Sequence, residues 1–147
     1  MIKQIRTMVV VGGLTSILGV SLAAGFNLNS IRRQIHCVDS WRAPASAAST
    51  TNPVAMTQAS IRAGSSLFSS NCEACHGADG TGDGPTGAFL SPHPANLTTA
   101  SFWSQGEGAI FWKITHGHSP MPSFRDSLSR KQRWEVIDYL KKQFDKH

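Results

Sequence analysis

The apolar positions of this chain follow two kinds of pattern. Residues 7–30 form an uncharged run with a strongly apolar middle, MVVVGGLTSILGVSLAAGF, over residues 8–26, whereas later apolar residues recur every three or four positions. The recurrent spacing predicts three helices. The first runs from Gln58 to Asn71 behind Thr57 as N-cap, with Ile61, Gly64, Leu67, Phe68 and Cys72 at helical spacing. Gly64 costs stability inside a helix and is expected where another helix crosses closely. The second, EGAIFWKITH, runs from Glu107 to His116, with Ile110, Phe111 and Ile114 on one face and Gly117 as its stop. The third starts at Ser129, whose pairing with Gln132 makes a capping box, and buries Trp134, Ile137, Leu140 and Phe144 on one side. Lys141, Lys142 and Lys146 complement its negative C-terminal end. Between the first two helices, residues 77–99 hold five glycines and three prolines around Phe89, Leu90 and Leu97. So long a loop in a small domain needs something to wrap.

At 147 residues the chain suits one globular domain with an appendage. Residues 42–56, RAPASAASTTNPVAM, lack apolar periodicity. Residues 31–56 therefore read as a juxtamembrane region and semi-flexible linker, and 57–147 as the domain. Residues 1–30 read as a signal-anchor: Lys3 and Arg6 precede the apolar run, and a helix over 8–26 is about 28 Å long against ~30 Å of bilayer hydrocarbon. Ser21-Leu22-Ala23 offers the alternative of a cleaved signal peptide. The formal charge is +5, yet residues 1–45 hold five of the fourteen Lys and Arg against one acid, and residues 46–147 hold nine against eight. The basic excess thus sits in the leader, where it suits a membrane surface. The domain has no clustered bases interleaved with aromatics, so no nucleic-acid partner is expected.

Of the three cysteines, two stand in NCEACHGADG, residues 71–80. Cys72 and Cys75 lie one helical turn apart with His76 adjacent, the C-x-x-C-H spacing of c-type haem attachment. Two thiols so placed reach the two vinyl groups along one porphyrin edge, and the imidazole reaches the iron from one face. A redox dithiol would follow a strand, whereas here an amphipathic helix leads in. A structural zinc site would need two further ligands; Cys37 lies before the linker, which leaves His93, His116 and His118 as sources. A Cys72–Cys75 disulfide is the blandest alternative. Haem is preferred because the pentad, the export segment and the long loop occur together. Met121 is the single methionine beyond His76, bracketed by Pro120 and Pro122, and is expected as second axial ligand, with His116 or His118 as substitutes. Iron with two strong protein ligands has no open position and passes electrons only. Phe102, Trp103, Phe111, Trp112 and Phe124 are candidates for a dry wall around it.

These motifs resemble class I c-type cytochromes, and more closely the short bacterial haem domains of cbb3-type oxidase subunits, from Ser60 to Phe144. Gly64 and Phe68 look like that family's first-helix pair, VIDYLKK at 136–142 like its C-terminal helix with Tyr139 crossing at Gly64, and MPSF like its Met loop. The resemblance implies an all-α cytochrome c fold, three main helices and long loops around one covalent haem c, here preceded by an N-terminal hydrophobic helix. It implies thioether links at Cys72 and Cys75 and axial ligation by His76 and Met121. It also implies a loop proline, Pro85 or Pro94, whose carbonyl accepts the hydrogen bond of His76. Cys37 has no counterpart and no lipobox before it, which leaves a free thiol or an intermolecular link. Bacterial haems of this type are attached outside the cytoplasmic membrane. The domain is therefore expected in the periplasm, tethered to that membrane or soluble after cleavage. The expected function is one-electron transfer between redox partner proteins by a non-enzymatic carrier, with docking steered by Lys113, Arg125, Arg130, Lys131 and Arg133. The alternatives are an electron-transfer subunit of a periplasmic dehydrogenase or respiratory oxidase complex and, from another class, a haem sensor or peroxidase.

Overall fold

The computed structural model describes residues 41–147. The expected hydrophobic segment 1–30, and Cys37 with it, lies outside these residues. Among the described residues no helix is long and apolar enough to cross a membrane. The elements are helical: α1 Ala45–Ala48, α2 Gln58–Asn71, α3 Glu73–His76, a 3-10 turn Gly87–Phe89, α4 Ala100–Trp103, α5 Glu107–His116 and α6 Arg130–Phe144.

The long helices α2, α5 and α6 begin and end where local chemistry dictates. At the start of α2, Thr57 Oγ1 accepts from the Ser60 amide at 3.1 Å and Ser60 Oγ accepts from the Thr57 amide at 2.9 Å. Two otherwise orphan donors are thereby satisfied. Ser129 and Gln132 make the same reciprocal cap on α6, at 3.2 and 2.8 Å.

Helices α2 and α6 meet at Gly64. A Cβ there would stand 1.9 Å from the Glu135 carbonyl oxygen and 2.9 Å from Tyr139 Cβ, so only a bare backbone allows the approach. Around this crossing Phe68, Trp134, Ile137, Leu140 and Phe144 are buried, and the Phe68 ring meets Tyr139 and Phe144 at 5.4 and 5.8 Å. Helix α5 lies across α6, with Ile110 and Ile114 buried and Phe111 stacked on Trp134 at 4.2 Å. Arg133 is buried on α6, and its Nη1 donates to the carbonyls of Phe124, Arg125 and Leu128 at 3.1, 2.8 and 2.8 Å. This one side chain ties the loop after Met121 to the helix beneath it.

Residues 42–56, expected as a semi-flexible linker, instead lie against the domain. Helix α1 packs on α5, where a Cβ on Gly108 would stand 2.1 Å from the Ala47 carbonyl oxygen. Further along, Asn52 Nδ2 donates to the buried Asp138 carboxylate at 2.7 Å, and Val54 packs on the core. Apart from Val54, the contacts are made by backbone, small residues and one amide, which leave no apolar periodicity to read.

Candidate functional site

Cys72, Cys75 and His76 stand on a turn that extends α2. The amides of Cys72 and His76 bond to the carbonyls of Phe68 and Cys72 at 2.8 and 2.9 Å. The glycine-rich loop then folds back over this turn. Gly82, Gly84 and Thr86 donate their amides to the carbonyls of His76, Cys75 and Ala74 at 2.8, 3.1 and 2.8 Å. The loop thus satisfies the carbonyls that the end of a helix leaves open.

Burial pushes the Cys72 thiol up to about 12, with Cys75 nearby adding to the effect. A thiol held protonated is the reverse of the lowered value that drives a redox dithiol. Burial likewise holds His76 below the usual histidine range, partly offset by its bond to Ala95. The imidazole is therefore neutral near pH 7. Its Nδ1 lies 3.1 Å from the Ala95 carbonyl oxygen, and donation there leaves the Nε2 lone pair free to bind a metal. The acceptor is neither Pro85 nor Pro94: the carbonyl used is one residue beyond Pro94, at Ala95.

Met121 comes from a turn stitched to the end of α5. Gly117 stops that helix at φ +65°, and its missing side chain makes room for the returning chain, since a Cβ would lie 2.5 Å from Ser123 N. His118 and Met121 exchange backbone hydrogen bonds at 2.9 and 2.8 Å, and Ser123 Oγ donates to the Thr115 carbonyl at 2.8 Å. The methionine side chain is thus presented by a turn fixed on both sides.

Between the turn that carries His76 and the turn that carries Met121 lie two cavities. Trp41, His76 and Met121 border both. Cys72 lines the first and Cys75 the second, so the fold brings the four expected site residues to one cleft. Of the substitutes for Met121, His116 lines neither cavity; it stacks on Trp112 at 4.3 Å and holds that residue's carbonyl at 2.8 Å. His118 borders only the second and stacks on Trp41. Among the described residues no three His, Cys, Asp or Glu side chains converge as a metal-binding group, so a structural zinc centre has no ligand set there.

The wall differs from expectation. Of the five aromatics singled out, Phe102 alone lines the cleft. Phe111 is taken by Trp134, Trp112 by His116, and Phe124 by the core, while Trp103 Nε1 donates to the Leu97 carbonyl at 2.9 Å. The wall is mainly aliphatic, with Leu97, Ile110, Ile114, Val136 and Leu140 doing the lining. Trp41 was missed, although a large aromatic in an otherwise polar segment was a signal for it, and Lys113, expected as a docking cation, lines the first cavity instead. The proposed steering cations also thin out. Arg133 is buried on backbone carbonyls and Lys113 is half-buried at the cleft, which leaves Arg125, Arg130 and Lys131 exposed, the last of them paired with Glu135.

An apolar cleft flanked by a neutral imidazole, a thioether and two thiols suits a covalently held porphyrin better than a hydrated ion. Residues 59–140 match the family described as cytochrome C oxidase, cbb3-type, subunit III. The chain is 33% identical over 86 residues to cytochrome c6 of Limnospira maxima, covering 58% of this chain and 96% of that protein. It is also similar to a chain in the structure of the reducing HAO-like protein complex of Kuenenia stuttgartiensis, at TM-score 0.57 and 28% identity. That likeness covers 63% of this chain and 47% of the other. The chain therefore belongs to the cbb3-type cytochrome c oxidase subunit III family and carries a monohaem class I c-type cytochrome domain whose haem c is covalently bound.

Proposed function

We propose that this protein carries single electrons between redox partner proteins, with haem held by thioethers at Cys72 and Cys75 and ligated by His76 and Met121. The observation that carries the ligand assignment is that His76 and Met121 border both cavities of the cleft, with a cysteine of the pair on each side. Haem bound there supplies a one-electron couple. The chain's own residues govern its use. The Ala95 carbonyl orients His76 and raises its basicity, and the turn fixed by His118 and Ser123 holds Met121 in place. The aliphatic wall excludes water, which raises the potential. Lys113, the charged residue lining the first cavity, offers a cation to the carboxylates that haem bears.

We further place residues 1–30 in the bacterial cytoplasmic membrane and the domain in the periplasm, because covalent haem attachment takes place on that side. Intact mass of the native protein tests both statements: the expected mass includes one haem and the uncleaved N-terminus. An oxidised protein without the weak near-infrared methionine-to-iron band would overturn the Met121 assignment. A second reading is a carrier fixed in a larger oxidoreductase complex, favoured by the likeness to a chain of the Kuenenia complex. Co-purification of a catalytic subunit with the full chain would establish it.

A further inference from the structure

The segment N-terminal to the family match, which begins at residue 59, is fastened to the domain at three places. Ala47 and Thr50 press their carbonyls against Gly108, Asn52 bonds to Asp138, and Val54 joins the core. Its leading end delivers Trp41 to the cleft, where the ring borders both cavities beside His76 and Met121. The ring is held from two sides. It stacks on His118 with centroids 5.4 Å apart, and Lys113 Nζ stands 5.2 Å from its centroid. His118 is in turn paired through its backbone with Met121. The strap and the Met121 turn therefore share one contact.

We propose that residues 41–56 form a strap that closes the haem cleft, with Trp41 as a positioning residue that packs against the bound haem and keeps water and small ligands from the iron. The inference rests on the ligand assignment above and adds to it a wall contributed from outside the residues matched to the family. A large aromatic ring covers more apolar surface than any other side chain could at this place. Its removal lets water into the cleft and lowers the reduction potential. Because the same ring braces His118, its loss also frees the turn that presents Met121.

The test uses the full chain with haem attached. Trp41→Ala is expected to lower the midpoint potential and to speed imidazole binding to the oxidised protein several-fold, and Trp41→Phe to stay near wild type. Gly108→Ala gives an independent route. It leaves every cleft residue intact but sets a Cβ 2.1 Å from the Ala47 carbonyl oxygen, prying the strap from α5, and is expected to reproduce both changes. Unchanged potential and imidazole rate in Trp41→Ala, in a protein that keeps its covalent haem and near-infrared band, would overturn the strap alone. A wild-type protein lacking either of those features overturns the ligand assignment and the strap with it.

Discussion

Replacing Gly64 by alanine separates two physical effects that act in opposite directions. Inside an isolated helix the change stabilises by about 1 kcal/mol, because glycine has the greater backbone freedom to lose. At the crossing of α2 and α6 the new Cβ would stand 1.9 Å from the Glu135 carbonyl oxygen, where ordinary contact begins near 3.4 Å. The helices would have to part by about 1.5 Å. Overpacking absorbed by side chains costs about 1 to 3 kcal/mol. Here the obstacle is a main-chain carbonyl fixed in a helix, which has no rotamer to change, so the cost falls at the upper end. After the helix gain is subtracted, a net loss of about 2 kcal/mol remains. That corresponds to a fall in Tm of about 8 to 16 °C for a domain of this size. The site responds too, since the far end of α2 carries Cys72 while α6 supplies Val136 and Leu140 to the wall. Thermal unfolding of the haem-loaded protein, followed by far-ultraviolet circular dichroism and by the haem absorption band, measures both. A Gly64→Ala protein as stable as wild type, or more so, would refute the close crossing and leave only helix propensity at work.

Other substitutions probe the site and its supports. Met121→Ala should abolish the near-infrared band of the oxidised protein and let the reduced protein bind carbon monoxide, read by absorption spectroscopy; retention of the band would reassign the ligand. Arg133→Met removes the donor to three carbonyls and should cost about 2 to 3 kcal/mol in denaturant unfolding, with the near-infrared band lost before the fold. Asp138 is buried, and burial raises its pKa, the bonds from Ser60 and Asn52 opposing the rise and Glu107 and Glu135 adding to it. The folded state therefore holds this proton more tightly than the unfolded chain. The resulting stability is complete below about pH 3.9, the unfolded value, and is lost as pH rises through the folded pKa. Asp138→Asn should remove that decline, so a stability difference between variant and wild type that does not change between about pH 4 and pH 7 would refute it.

What could be read from the sequence was whatever is decided within one turn of helix. Thr57 and Ser129 cap their helices with side chains three residues from their partners, so both starts were legible, as was the stop at Gly117. The Cys72, Cys75 and His76 spacing is likewise local. The wall was not legible, because it depends on which face of each helix turns inward after packing. Phe111 and Trp112 are neighbours in sequence, yet one stacks on Trp134 and the other on His116, and neither reaches the cleft. The residues that do line it, Leu97, Val136 and Leu140, are ordinary core residues by type. The docked strap escaped for a related reason: Ala47, Thr50 and Asn52 hold it through backbone and polar atoms, which carry no hydrophobic signal.

The identity of wall and core has a further consequence for how the domain stays folded. Phe68, Leu97, Ile110, Ile114, Val136 and Leu140 are at once buried core and cleft lining. A domain of about a hundred residues buries a smaller fraction of its surface than a larger one and is correspondingly marginal. A cleft through the middle of such a core leaves those side chains without partners on one face, so the contacts they forgo are restored by whatever fills it. Haem held at Cys72 and Cys75 would then stabilise the fold by supplying those contacts. The strap fits the same account. Trp41 closes the cleft where the domain's own elements end, so the chain that leads toward the expected membrane segment also completes the core that the haem divides.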